Sequence, residues 1–238
     1  MGKITQIGRC CILHDEEAVG KLEQKHFDLS YWQANTEYEN VVAGRGGSIK
    51  ISLDGRPAIL RRYLRGGMFT RVSTDRYLWL GRNRTRAWRE WTILKLALEA
   101  GMPVPTPLGV CVCRDGLSYR AAIITAYIKN TVTLAERIAH SELGLKSWHR
   151  LGLLLQNFQQ HRFRHADLNA NNLLVDQQGQ FYIIDFDKAR VMRNLDNWQW
   201  SPLLRLQRSL EKINRQQDLH YRPTDWQALI DGYQSTDS

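Results

Sequence analysis

The feature that most constrains this chain is the stretch from His165 to Asp187, HADLNANNLLVDQQGQFYIIDFD. It opens with a polar loop, His165-Ala166-Asp167-Leu168-Asn169-Ala170-Asn171-Asn172, and passes through a predicted hairpin. It ends in the apolar run Phe181–Ile184 followed by Asp185-Phe186-Asp187. Asn172 lies five positions after Asp167, and Asp185 eighteen after it (167 to 185). These identities suit one chemistry. One carboxylate accepts the proton of a hydroxyl, while an amide oxygen and a second carboxylate offer hard ligands to Mg²⁺ bridging nucleotide phosphates. Singly they mean little, because Asp and Asn recur in turns whose backbone their side chains bond. The informative fact is that three polar identities, two loops and a strand agree in order and spacing.

That spacing resembles the catalytic loop of protein kinases, in which an Asn follows the catalytic Asp by five positions, and Asp185-Phe186 begins a triplet where kinases have D-F-G. On this resemblance Asp167 is the expected base, and Asn172 and Asp185 the expected metal ligands. Upstream, Val41–Ser48 is rich in glycine and leads into Ile49–Leu53, whose apolar and polar residues alternate as in a strand. Asp54-Gly55 is a tight-hairpin dipeptide, and Ala58–Tyr63 resumes as a strand. Gly44, Gly46 and Gly47 then fit a lid over nucleotide phosphates, where missing side chains let backbone N–H groups approach. By themselves three glycines in four positions are a flexible turn.

Kinases carry a Lys on the next strand. Here Ala58-Ile59-Leu60 is followed by Arg61, which stays cationic and can grip phosphate with a two-pronged fork. Arg62 points to the other strand face and is the alternative in register. The segment Arg61–Arg89 holds Arg61, Arg62, Arg65, Arg71, Arg76, Arg82, Arg84, Arg86 and Arg89 against Asp75 alone, with Tyr63, Phe69, Tyr77, Trp79 and Trp88 interleaved. Such a mixture suits nucleic acid or an anionic membrane surface. Thr85–Ala100 reads as a helix with Trp88, Trp91, Leu94 and Leu98 at helical intervals, stopped by Gly101 and Pro103. Glu90, in mid-helix, is the expected ion-pair partner of Arg61, by analogy with the kinase αC glutamate.

Further on, Pro103, Pro105 and Pro107 stiffen a loop, and Ala121–Ile128 is an apolar strand leading to a hinge. Thr133 opens the next helix. Ser141–Gln160 aligns Trp148, Leu151, Leu155 and Phe158 on one face, as a helix that delivers the polar loop. After Asp187 the chain is basic, and Leu203, Leu206 and Leu210 share a face of a helix over Trp198–Lys212. Residues 1–40 read as a lead-in packing on the first lobe.

A chain of 238 residues, 43% hydrophobic and 24% charged, suits one large domain or two closely packed lobes with an adequate core. The formal charge of +9 calls for an anionic partner. Cys10, Cys11, Cys111 and Cys113 have neither zinc-site spacing nor a secretory context, so reduced thiols are expected. No signal peptide is evident, and no apolar run approaches the roughly 20 residues that span a bilayer. The fold class expected is α+β, a protein-kinase-like two-lobe fold. Residues 1–128 would form a small antiparallel β lobe with one main helix, and residues 129–238 a mainly helical lobe.

Across Gly44–Ser48, LRRYLRGG (Leu60–Gly67), DRYLWLGRNRTRAWR (Asp75–Arg89), GMPVPTP (Gly101–Pro107), His165–Asn172, Ile183–Asp187 and Trp200–Lys212, the chain resembles the bacterial 3-deoxy-D-manno-octulosonic acid (Kdo) kinases of lipopolysaccharide core synthesis. The resemblance implies ATP with Mg²⁺ as cofactors and transfer of the γ-phosphate to a Kdo hydroxyl on a lipid A precursor. It places the protein at the cytoplasmic face of the inner membrane, peripherally bound to the anionic surface, and disfavours nucleic acid as partner. Arg61 in place of Lys, and Asp187 in place of the D-F-G glycine, depart from the general kinase pattern. The alternatives are a lipopolysaccharide heptose kinase, a bacterial protein kinase, or a non-catalytic kinase-like binder of anionic lipid or RNA.

Overall fold

A computed structural model of the chain describes residues 2–34, 38–40, 48–64, 75–194, 198–217 and 220–235. The chain forms two compact units, Met1–Lys95 with Pro105–Tyr127, and Leu96–Val104 with Ile128–Ser238. Segment 96–104 thus groups with the second unit, although it falls before residue 128.

In the first unit the strands are β1 (Lys3–Ile7), β2 (Cys10–His14), β3 (Tyr38–Asn40), β4 (Ser48–Leu53), β5 (Arg56–Arg62), β6 (Tyr77–Leu78), β7 (Pro107–Asp115) and β8 (Ser118–Ala126). They pair antiparallel in the order β1-β2-β7-β8-β5-β4-β3, with β6 added to β8. The hairpin predicted around Asp54-Gly55 is present. Both residues take positive φ, 50° and 73°, as a two-residue turn matching strand twist requires. Along β4, Ile49, Ile51 and Leu53 alternate into the core. The N-terminal residues are more than a lead-in, for β1 and β2 extend the sheet beside β7. Short helices α1 (Glu16–Val19) and α2 (Leu29–Ala34) follow. Val19, Leu22, Phe27 and Trp32 from this region pack on Ile12, Ile51, Leu60 and Ile124 of the sheet.

The cysteines correct the expectation of reduced thiols. The β2–β7 register sets Cys10 directly opposite Cys113, and the two form a disulfide across 103 positions of sequence. Cys11 and Cys111 remain buried thiols, and burial pushes Cys111 up to about 12. The main helix is α3 (Arg86–Glu99), closed by bonds from the N–H groups of Gly101 and Met102 to the carbonyls of Leu98 and Ala97. Gly101 takes φ 73°, the left-handed step that such a helix end uses.

The second unit holds β9 (Thr131–Thr133), α4 (Leu134–His140), α5 (Leu145–Gln160), β10 (Phe163–His165), β11 (Leu173–Asp176), β12 (Phe181–Ile183), β13 (Ala189–Val191), α6 (Trp200–Gln217) and α7 (Pro223–Gln234). Thr133 caps α4 in a reciprocal box with Glu136, as its sequence position suggests. The helix predicted over Ser141–Gln160 is shorter, because Gly144 at φ 80° precedes Leu145 and separates α4 from α5. Trp148, Leu151, Leu155 and Phe158 form the buried face of α5. Helices α5 and α7 approach through glycines. A Cβ on Gly152 would lie 2.0 Å from the Leu229 carbonyl oxygen, and one on Gly232 2.0 Å from that of His149. Two small β layers, β12-β11-β9 and β10-β13, rest with these helices and frame the polar loop.

Candidate active site

Strand β10 ends at His165, where the loop begins, and β13 begins at Ala189, its partner in register. The residues just after His165 are therefore drawn toward those just before Ala189. His165 is buried, and its Nε2–H donates to the Ile184 carbonyl at 3.0 Å while its ring lies edge-on to Phe186. Desolvation lowers its pKa, so the ring is neutral and acts as a fixed peg between the loop and the Asp185 segment.

Asp167 follows, and its backbone carbonyl accepts from the side-chain amides of Asn169 at 2.8 Å and Asn172 at 2.9 Å. A carbonyl oxygen only accepts, so Nδ2 of Asn172 is committed there and its Oδ1 is left as the acceptor. Beyond it, the Ile184 N–H bonds the Asn172 carbonyl at 3.0 Å, next to the Leu173–Ile183 pair of β11 and β12. That register brings Asn172 and Asp185 to the same end of the hairpin. Asp185 is left-handed, at φ 63° and ψ 69°, a strained conformation for a residue other than glycine that clusters at functional positions.

Two cations that motif reading missed converge on Asp167. Lys188 Nζ lies 3.0 Å from Oδ2, and the Arg205 guanidinium bonds Oδ1. Burial pushes the Asp167 carboxyl up, but these partners outweigh it and hold it below the usual carboxylate value. Arg205 belongs to a stripe on α6. Ser201 Oγ accepts from Arg164 at 3.3 Å, and Ser209 Oγ accepts the Ala170 N–H at 3.3 Å. Ser201, Arg205 and Ser209 are four residues apart, one above another on a helix face. This spacing was the available signal for Arg205; for Lys188 it was adjacency to Asp-Phe-Asp.

In the first unit, Arg61 Nη2 bonds Glu90 Oε1 at 2.5 Å and also reaches Oε2. Glu90 is 3% exposed, and Tyr63 donates its hydroxyl to Oε2 at 2.5 Å. Burial, followed by the Glu90 charge, raises the Tyr63 phenol well above its ordinary value and keeps it a donor. The alternative in register goes elsewhere, since Arg62 pairs with Asp75 at 3.0 Å. Gly44, Gly46 and Gly47 lie outside the described residues, as do Arg65 and Arg71. The remaining arginines do not form one uniform anion-facing array. Arg76 pairs with Asp115 at 2.8 Å, and Arg86 donates to the Tyr77 hydroxyl at 2.6 Å.

A buried cation–carboxylate pair between a strand and the main helix in the first unit, and a polar Asp–Asn loop with an Asp-Phe turn in the second, are the parts that a kinase-type phosphotransferase carries. The model of the lipopolysaccharide kinase (Kdo/WaaP) family matches residues 30–233. A 3-deoxy-D-manno-octulosonic acid kinase of Vibrio vulnificus (strain YJ016) is 34% identical over 97% of this chain and 97% of its own. One of Xanthomonas axonopodis pv. citri (strain 306) is 35% identical over 95% and 90%, and one of Xylella fastidiosa (strain M23) 33% over 93% and 88%. Among solved structures, the Cydia pomonella granulovirus kinase PK-1 is similar over 68% of this chain and 55% of that one. Its TM-score is 0.45 and its identity 12%, too slight a likeness to bear on the fold. The chain belongs to the lipopolysaccharide kinase (Kdo/WaaP) family, and it is an ATP-dependent kinase.

Proposed function

We propose that the protein transfers the γ-phosphoryl group of ATP to a hydroxyl of a Kdo sugar on a lipid A precursor during lipopolysaccharide core synthesis. The observation that carries this reading is the Asp167 loop, set in a chain whose near-full-length relatives are named Kdo kinases. Asp167 receives the acceptor hydroxyl's proton. Its depressed pKa makes it a weak base, which suits a loose transfer in which the proton leaves late and positioning matters most. Lys188 and Arg205 keep Asp167 ionised and oriented, and they place positive charge where the transferred phosphoryl group arrives. Arg61, steadied by Glu90 and Tyr63, contacts the nucleotide phosphates.

The residues present fit Mg²⁺. Asn172 would offer its amide oxygen, since its nitrogen is engaged, and Asp185 a carboxylate, both hard ligands of the kind that Mg²⁺ takes. When bound, the ion neutralises charge on the phosphate groups. The reading also places the protein peripherally at the cytoplasmic face of the inner membrane, on an anionic surface, which its +9 charge supports. No helix of the described residues is long and apolar enough to cross a membrane.

The test is a radiolabelled-ATP assay offering Kdo-bearing lipid A precursor, heptose-bearing core and a generic protein in parallel. Label on the Kdo sugar is expected. Label on heptose or protein alone overturns the acceptor assignment. A parallel ATP titration of Asp185→Ala should show weakened Mg²⁺ dependence, and an unchanged dependence removes Asp185 from the metal site.

A further inference from the structure

The first unit carries a concave site that the catalytic reading does not use. Three neighbouring pieces build it: the β1–β2 turn at Gly8-Arg9, the β7–β8 turn at Arg114–Leu117, and the segment Trp79–Arg84 that enters α3. Backbone bonds hold them side by side, from Arg114 N–H to the Arg9 carbonyl at 3.0 Å and from Trp79 N–H to the Leu117 carbonyl at 2.9 Å. The open cleft between them has a volume of about 770 Å³, with Cys11 and Val112 among its lining residues.

Its walls are cationic. Arg9, Arg82, Arg84 and Arg114 line it, and no carboxylate does among the described residues. Asp115 stands nearby but is engaged by Arg76 at 2.8 Å and Arg9 at 3.6 Å. Arg82 rests over Trp88 and Arg114 over Trp79, with guanidinium-to-ring distances of 4.7 and 5.3 Å, and Arg114 Nε donates to the Gly116 carbonyl at 3.0 Å, so both side chains are held at the cleft wall. Beside these cations the same turns expose leucines, Leu78 at 61%, Leu80 at 60% and Leu117 at 79%. Leu78 is paired with Ser118 in the β6–β8 ladder, which sets it next to Leu117.

We propose that this cleft docks the anionic headgroup of a membrane lipid, while Leu78, Leu80 and Leu117 enter the adjoining apolar layer. Charge complementarity assigns the headgroup, since guanidinium forks match phosphate oxygens. The leucines assign the membrane. A soluble polyanion engages arginines and Trp79 but has no use for three exposed leucines, whereas a bilayer interface accepts both kinds of side chain. The inference rests on the peripheral membrane contact of the proposed function and gives it a location.

The experiment is co-sedimentation of the full chain with vesicles of phosphatidylcholine alone or with phosphatidylglycerol. It compares wild type with Leu78→Ser/Leu80→Ser/Leu117→Ser and with Arg84→Ser/Arg114→Ser, all at exposed positions. Thermal midpoints report folding, and phosphorylation of a water-soluble Kdo glycoside by wild type is followed separately. Wild type should bind acidic vesicles preferentially. Each variant should partition at least ~10-fold more weakly at an unchanged thermal midpoint, since a surface cation near an acidic leaflet contributes about a factor of five. Wild-type binding by the arginine variant overturns the site. Loss with the arginine variant alone overturns membrane docking and leaves a site for soluble phosphate or RNA, which competition with inorganic phosphate and with RNA tells apart. If vesicle binding follows the cleft but the glycoside is not phosphorylated, the acceptor assignment falls and the docking site stands; the converse result spares the kinase reading alone.

Discussion

Asp167 is the residue on which most of the site's geometry converges, and its neighbours make opposite demands on it. Partial burial favours the neutral acid, while Lys188 and Arg205 favour the anion and prevail. Asp167→Asn keeps the shape but cannot take a proton. Turnover should fall by at least ~10²-fold with ATP affinity nearly intact, the scale for loss of a positioned base. Near-normal turnover in a steady-state assay would remove Asp167 from the mechanism. The sign of the pH effect follows from the depressed pKa. The anion persists down to pH below the ordinary carboxylate value of 3.8, so Asp167 places no limb on the rate between neutrality and that value. The stability it adds is present above the unfolded pKa and lost as pH falls through the lower folded one. In Lys188→Met, burial is opposed by Arg205 alone, and the acid limb of the kcat/KM profile should move to higher pH. An unmoved limb would show that Lys188 does not set the ionisation.

At the scale of elements, a few packed faces hold the loop in place. Helix α5 delivers it through β10, and α5 is seated against α7 by Gly152 and Gly232, where backbone oxygens leave no space for a side chain. Gly152→Val should force the helices apart and destabilise the fold by about 1–3 kcal/mol, the usual range for overpacking. Calorimetry should record a fall of several degrees, and an unchanged midpoint would refute the close approach. On the other side of the loop, α6 turns its Leu203, Leu206 and Leu210 stripe inward and presents Ser201, Arg205 and Ser209 to Arg164, Asp167 and Ala170. The same logic governs α3, whose buried Glu90 is worth more as half of a pair than alone. Glu90→Ala leaves Arg61 and the Tyr63 hydroxyl without their partner and should cost about 3–5 kcal/mol, as for other broken buried pairs. Chemical denaturation of the variant measures that loss.

For the whole molecule, the excess of nine positive charges acts at a distance that no single contact does. Screening shortens that reach from about 10 Å at 0.1 M salt to about 3 Å at 1 M. Association with acidic vesicles should therefore weaken steeply between those conditions, while the contribution of exposed leucines persists. Salt-independent association would assign the contact to apolar insertion alone. Much of this molecule was legible in the sequence because it is local. The Asp54-Gly55 turn, the apolar faces of α3, α5 and α6 and the Thr133 cap depend on residues a few positions apart, and Asp167, Asn172 and Asp185 fall within one continuous stretch of sequence. Their rotamers, turn angles and periodicities are set by the backbone itself. What the tertiary structure alone decided depends on residues far apart in the chain. Arg61 rather than Arg62 meets Glu90 because strand register selects the face. Lys188 and Arg205 reach Asp167 from 21 and 38 positions away through the β10–β13 pair and the seat of α6. Cys10 meets Cys113 because β2 lies beside β7, 103 positions on. Closing such loops costs entropy that only the assembled sheet and core offset, so no local pattern announces them.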